Sequence, residues 1–398
     1  MKESAFIVGP QTIQMLQLGH PWVIADRYTR KWPKSRAGEV IRLADENGRP
    51  LATALLDPGD RVAARVLDFA PMELNQEWVH AKVQQALDLR QRHLDLDDSN
   101  AYRLINGEGD FLPGLTVDRY GDYLMVQLFS RAWRPHLPLV VSALQKTSEP
   151  VGIYEKFRPQ QTRKLAEKAN NLSRLLYGKG VSGRLRVLEN GINLLVDLEE
   201  GLNTGLFSDQ RDNRRDLMRR AAGAKVLNLF AYTGAFSVAA AAAGAARVTS
   251  VDASAAYLEW ARDNFEANRL NPKRHDFLVG DCRKVLKDLR RQGKTFDIVI
   301  MDPPSFSTVG KSRFTTAGGT SDLIADALPL LERGGLLITS SNHQKVDLAD
   351  YLKELRRGAL AAGTALKVIA NFGQSGDFPY PVTFPEGRYL KYLISIKD

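Results

Sequence analysis

The chain has 398 residues, 25% charged and 44% hydrophobic, which is ordinary for a soluble protein and too long for one core, so two or three domains are expected. No apolar run approaches the roughly 18 residues of a membrane span, the stretch Met1–Phe6 lacks the apolar region of a signal peptide, and the one cysteine excludes an internal disulfide or a cysteine-cluster metal site. A cytoplasmic protein without metal or membrane partner is expected. Its net charge of +9 and isoelectric point of about 9.5 suit an acidic partner.

Residues 1–75 read as short strands and turns. Val40–Ala44, Leu51–Leu56 and Val62–Leu67 are separated by Asn47-Gly48 and Pro58-Gly59 turns, the pattern of a small β-barrel. Arg27, Arg30, Lys31, Lys34 and Arg36 cluster in a loop with Tyr28 and Trp32. Cations of this kind neutralise phosphates, and aromatic rings among them can stack on unpaired bases. A solvated face is the plainer reading of such a run. Residues 76–185 open with an amphipathic helix, Trp78–Leu94, and continue with strands such as Leu124–Phe129 around a helix at Pro135–Leu144, an α+β middle domain. Between Lys156 and Arg186 stand nine basic residues against one acid, Glu167; Lys156, Arg158, Arg163 and Lys164 lead that run as candidate RNA contacts.

Residues 186–398 begin with a hairpin around Asn190-Gly191 and then alternate strands with helices, the mark of a parallel sheet covered on both faces. The first strand, Val226–Phe230, meets a tight turn at Gly234. An Ala-rich helix follows, and the next strand, Val248–Val251, ends at Asp252. Asp276–Val279 leads to Asp281, and Asp297–Met301 leads to Asp302. A helix over Thr320–Leu331 and a strand over Leu336–Thr339 complete the series. Ligands of such sheets bind beyond the carboxyl ends of the strands, where all three acids fall. A carboxylate at the second strand tip suits a ribose diol. The turn Ala231–Phe236 has only one glycine and is not built for a pyrophosphate, so S-adenosylmethionine (SAM) is the expected cofactor.

The order of these motifs resembles a class I SAM-dependent methyltransferase, Rossmann-like with a mainly parallel sheet. Gly114–Asp122, Asp209–Arg214, Asp302-Pro303-Pro304-Ser305-Phe306 and Pro385–Lys391 carry the likeness further. They resemble the large-subunit (23S) ribosomal RNA methyltransferases with an N-terminal PUA domain, over essentially the whole chain. The resemblance implies that residues 1–75 are an RNA-binding PUA domain and that the partner is 23S ribosomal RNA, free or in a pre-ribosomal particle. A monomer or homodimer is expected. By position, Asp252 would take the ribose hydroxyls and Asp281 the adenine amino group, with Ala253 and Cys282 near the ring. Asn228, Ala231, Tyr232 and Gly234 would line the methionine end. The resemblance implies that Phe207, Asp209, Gln210 and Arg214 close over the cofactor, with Asp302 beside it. A helix cap is the lesser reading of Asp281, and Arg214 could equally be an ion-pair partner on a helix face.

The likeness breaks on the acceptor side. The best-known members methylate cytosine C5, which needs a thiolate to attack C6. Their cysteine lies in a run like T-F-S-C-S, whereas this chain has Thr339-Ser340-Ser341-Asn342-His343, with Asn342 at the nucleophile's place. Ser-Ser-Asn is closer to the Ser-Asn-Asn run of the guanine-N7 relatives. Catalysis without a cysteine adduct is therefore expected, by Asp302, Pro303, Pro304, Phe306 and Asn342 at the base, with guanine N7 or another nitrogen as acceptor. Cytosine C5 and an inactive RNA-binding paralogue are the alternatives, and His343 as general base is a weaker candidate.

Overall fold

The structure, a computed structural model, describes residues 6–157, 173–201, 203–304, 306–309 and 312–398. The chain forms two compact units: residues 1–185, 197–204 and 376–387, and residues 186–196, 205–375 and 388–398. Thus 197–204 and 376–387, expected in the cofactor domain, belong to the first unit.

In the first unit, β1 (Phe6–Ile7), β2 (Trp22–Ile24), β3 (Val40–Ala44), β4 (Pro50–Leu56) and β5 (Val62–Asp68) form one sheet in the order β1-β3-β4-β5-β2. Helix α1 (Pro10–Gln17) starts with proline, which loses nothing where the backbone N–H has no helical partner. Leu16 joins Phe6, Val8, Val23, Ile41, Leu43 and Ala54 in the core of this sheet. Helix α2 (Gln76–His93) is capped by Asn75, whose side chain accepts the Trp78 N–H at 2.9 Å. A second sheet follows from β6 (Ala101–Asn106), β7 (Leu115–Tyr120), β8 (Tyr123–Leu128), β9 (Gly152–Phe157) and β10 (Ser173–Gly178) in the order β10-β9-β8-β7-β6. β8 and β9 are parallel because α3 (Leu137–Ser148) carries the chain back between them.

The returning segment 376–387 is tied into this unit by a buried arginine. Arg90 donates to both oxygens of Asp110 at 2.6 and 2.8 Å and to the Asp377 carbonyl at 2.8 Å. Asp377 in turn accepts the Arg103 N–H at 2.7 Å. A buried guanidinium is tolerable only when its donors are satisfied this way.

The second unit opens with the hairpin β11 (Leu185–Glu189) and β12 (Ile192–Val196), whose Asn190 and Gly191 both take left-handed φ, 51° and 75°. After α4 (Arg211–Met218) come β13 (Lys225–Leu229), α5 (Ala235–Ala242), β14 (Arg247–Asp252), α6 (Ala255–Ala267), β15 (Asp276–Val279), α7 (Cys282–Arg291) and β16 (Phe296–Met301). The short pair β17 (Phe306–Val309) and β18 (Ser312–Thr315) precedes α8 (Thr316–Ala327), β19 (Leu331–Ser341), α9 (Leu348–Ala361), β20 (Leu366–Phe372) and β21 (Lys391–Lys397). Seven strands order as β15-β14-β13-β16-β19-β21-β20. All pairings are parallel except those of β21, which runs antiparallel to β19 and β20. From β13 the chain winds outward through β14 and β15, then returns to place β16 on the other side of β13. That reversal between β13 and β16 opens a crevice at the strand tips.

Candidate active site

Five tips converge on this crevice: those of β13, β14, β15, β16 and β19. The turn after β13 is under backbone strain. Phe230 and Tyr232 sit at φ 59° and 52°, and Gly234 at 80°. Left-handed φ at bulky residues costs roughly 1–2 kcal/mol each and persists only where the surroundings impose it. Asp252 is part of what imposes it, since its Oδ2 accepts the Tyr232 N–H and its Oδ1 the Ser254 N–H, each at 2.9 Å. The half-buried carboxylate is thereby aimed from the β14 tip, with one lone pair per oxygen left beyond those bonds. This fits a ribose diol.

Gly234 serves helix packing as well as the turn. A Cβ there would stand 2.7 Å from the Ala261 Cβ, so its bareness lets α5 approach α6. Ala231 is buried in the turn and Ala253 is exposed beyond Asp252. Phe207 (46% exposed) stacks at a tilt on Tyr232 with centroids 5.4 Å apart, and Tyr257 meets Tyr232 edge-on at 4.5 Å. This aromatic cluster flanks the Asp252 turn.

Several expected cofactor contacts have other partners. Asn228 is buried and its amide donates to Ser237 Oγ at 2.9 Å, in a chain continuing to Ser250 at 2.7 Å. Strand alternation turns Asn228 toward α5, on the face opposite Leu227 and Leu229. Arg214 is buried too. It grips Glu189 with two bonds of 2.6 and 2.7 Å and donates to the Phe207 carbonyl at 2.8 Å, so it anchors the 207 loop from beneath. Asp281 caps α7, accepting the Lys284 N–H at 3.2 Å. Cys282 is buried beside it, and burial, with the Asp252 and Asp281 charges adding, pushes its thiol up to about 12.

On the other side of the crevice, Asp302 receives Ser340 Oγ on one oxygen and Gln210 Nε2 on the other, the latter at 3.3 Å. Burial, with the Asp209 charge adding, raises its carboxyl to about 6 although an edge stays open to solvent. Asp209 accepts the Tyr389 hydroxyl at 2.7 Å, and its carbonyl takes the Ser375 N–H at 2.9 Å. Pro303 is buried, Pro304 is exposed, and the Phe306 side chain lies outside the described residues. Asn342 is exposed just past the end of β19, and the carbonyl of neighbouring His343 is held by Lys391 Nζ at 2.7 Å. Ser340, Asn213, Glu189 and Tyr389 were missed as site residues. Only the i, i+3 spacing of Gln210 and Asn213 across the start of α4 hints at a pair.

The basic groups divide. Arg27, Arg30, Lys31, Lys34 and Arg36 are exposed and form no ion pair among the described residues. The Arg27 and Lys31 cations lie 5.1 and 5.9 Å from the centre of the Tyr28 ring. Trp32, expected as a stacking platform, turns inward, donating to the Ile7 carbonyl at 2.7 Å with its ring edge-on to Phe6. Lys156 is no surface cation either. It is buried, with Nζ on the Gly201 carbonyl at 3.0 Å. Arg158, Arg163 and Lys164 lie outside the described residues.

Residues 102–381 match the S-adenosylmethionine-dependent methyltransferase family, and residues 6–69 match the PUA-like domain. The chain belongs to the SAM-dependent methyltransferase family. It is 35% identical over 94% of both chains to the ribosomal RNA large subunit methyltransferase I of Escherichia coli O139:H28, and 36% identical over 94% of both chains to that of Cronobacter sakazakii. A methyltransferase structure complexed with S-adenosylhomocysteine (SAH), SMU.776, superposes with a TM-score of 0.89 at 30% identity, covering 99% of this chain and 100% of that one. A SAM-dependent methyltransferase from Streptococcus mutans gives 0.86 at 30% identity, again over 99% and 100%. Among the described residues no group of acids, histidines or cysteine is placed to hold a metal, and no helix is long and apolar enough to cross a membrane.

Proposed function

We propose that this enzyme transfers the methyl group of SAM to a base of large-subunit ribosomal RNA without a cysteine adduct, with a ring nitrogen such as guanine N7 as acceptor. The substrate class is supported by the relatives matched over 94% of the chain and by the PUA-like domain. The observation that carries the chemistry is the state of the one cysteine. Cys282 is buried and strongly disfavours its thiolate, whereas the exposed tip past β19 presents Asn342. Carbon methylation at C5 needs a thiolate nucleophile that this crevice lacks. A ring nitrogen brings its own lone pair, and the catalytic requirement reduces to alignment, a proximity effect of up to several kcal/mol.

On this reading SAM supplies an electrophilic methyl on a sulfonium. Asp252 holds the ribose, Asp281, Ala253 and Cys282 bound the adenine end, and the turn Ala231–Gly234 with Phe207 encloses the rest. Asp302, Pro303, Pro304, Phe306 and Asn342 receive the base. Arg27, Arg30, Lys31, Lys34 and Arg36, exposed and without an acidic partner among the described residues, take phosphates. An enzyme of ribosomal RNA would work in the cytoplasm.

The decisive experiment is methylation of unmodified large-subunit ribosomal RNA with labelled SAM, followed by digestion and identification of the nucleoside. A methylated purine nitrogen is expected. 5-Methylcytosine would overturn the chemistry. Calorimetry with SAH tests the cofactor part separately: binding that Asp252→Ala leaves unchanged would remove Asp252 from its assigned role.

A further inference from the structure

Behind Asp302 lies a chain of buried amides whose polarity is fixed from one end. The Gly373 carbonyl can only accept, and Asn213 Nδ2 reaches it at 3.1 Å. The same Nδ2 lies 2.6 Å from Gln210 Oε1. Asn213 must therefore show its amino group to both, and Gln210 must turn its oxygen toward Asn213. Gln210 Nε2 then faces forward, 3.3 Å from Asp302 Oδ2 and 3.2 Å from Ser340 Oγ. Having accepted from Gln210, the Ser340 hydroxyl donates its own hydrogen to Asp302 Oδ1. Asn213, Gln210 and Ser340 are all at most 3% exposed, so water does not substitute for these partners.

We propose that Asn213 and Gln210 are positioning residues, an amide relay grounded on the Gly373 carbonyl that holds Asp302 as a hydrogen-bond acceptor on both oxygens and so favours a target base whose edge donates N–H groups. The second half rests on the placement of the base at Asp302 proposed above. Guanine offers adjacent N–H donors on its Watson–Crick edge, which match a carboxylate. Cytosine and adenine pair a donor with an acceptor and would need a proton on Asp302, against both donors already aimed at it.

The relay is tested in the free protein by carboxyl 13C NMR of labelled aspartates, with the Asp302 signal assigned through Asp302→Asn. The other groups that act on this titration are Asp209, Arg214, Tyr351 and Tyr392. Neutral Asn213→Leu and Gln210→Met leave all four in place. Loss of a hydrogen bond to a charged group should move the Asp302 midpoint upward by roughly one to two pH units in each folded variant. Two variants are used so that misfolding of one does not end the test. An Asp302 titration identical in parent and folded variants would overturn the relay. That readout needs no RNA and stands or falls apart from the substrate reading. The selectivity half is overturned if the methylated nucleoside is a cytidine or an adenosine.

Discussion

Replacing Asp302 with asparagine should change the protein's stability in a pH-dependent way that no other feature of the substitution can imitate. Burial favours the neutral carboxyl in the folded protein, moving it from the ordinary 3.8 to about 6. At about 1.36 kcal/mol per pH unit that displacement amounts to about 3 kcal/mol. The sign follows from proton binding. Between the two values the folded state holds more protons than the unfolded one, so stability present below about pH 3.8 is lost as pH rises through about 6. Asparagine has no such dependence. It does disturb the relay, because its amino group must face either Gln210 Nε2 or the Ser340 hydroxyl, but that penalty is the same at every pH. Urea denaturation of parent and Asp302→Asn from about pH 4.5 to about pH 8 should therefore show the variant gaining about 2 kcal/mol on the parent, with most of the gain complete by about pH 7. A stability difference flat across that range would refute the argument that the crevice desolvates Asp302.

Arg214→Ala leaves the fully buried Glu189 without its partner and should destabilise the protein by about 3–5 kcal/mol, read by denaturant midpoint. Its loss also frees the Phe207 carbonyl, so SAH should bind more weakly in calorimetry. Gly234→Ala combines φ of 80° with a Cβ 2.7 Å from Ala261 and should cost about 2–4 kcal/mol. Adding Ala261→Gly should return the steric part but not the backbone part; no recovery would mean that packing against α6 is not what excludes the methyl. Cys282→Ala should retain methyl transfer within about threefold, because an un-ionised, buried thiol attacks nothing. A thousandfold loss of kcat with normal SAH binding would restore the cysteine to the mechanism.

The readable parts of this protein are those whose cause is local. Alternation of strand and helix periods located the cofactor sheet, because each period reflects one face being buried. The acids at Asp252, Asp281 and Asp302 stood out because a residue just past a parallel strand has only one place to go, the crevice edge. Asn190-Gly191 predicted a tight hairpin from two adjacent residues tolerant of positive φ. Reversal of β21 was not legible in this way. The segment before it leaves for the first unit, held there by Arg90 and Arg103 on Asp377, residues more than 270 positions away.

Side-chain roles divide along the same line. Asn228, Trp32 and Lys156 have residue types suited to ligands, and each was assigned to one; the structure spends each on the interior, under α5, against Ile7 and on Gly201. Which face of an element is buried follows from what packs on it, and that partner is far away in sequence. The relay is the clearest case. Gln210 and Asn213 are three residues apart, but their polarity is set by Gly373, and they act on Asp302 and Ser340. By itself, then, the sequence determined the methyl-donor fold and the lack of a cysteine at the acceptor tip, since strand periods and residue identity are properties of the chain. The tertiary structure decided which polar groups face the crevice and in which direction each hydrogen bond runs, because a donor's direction exists only once its acceptor has been folded against it.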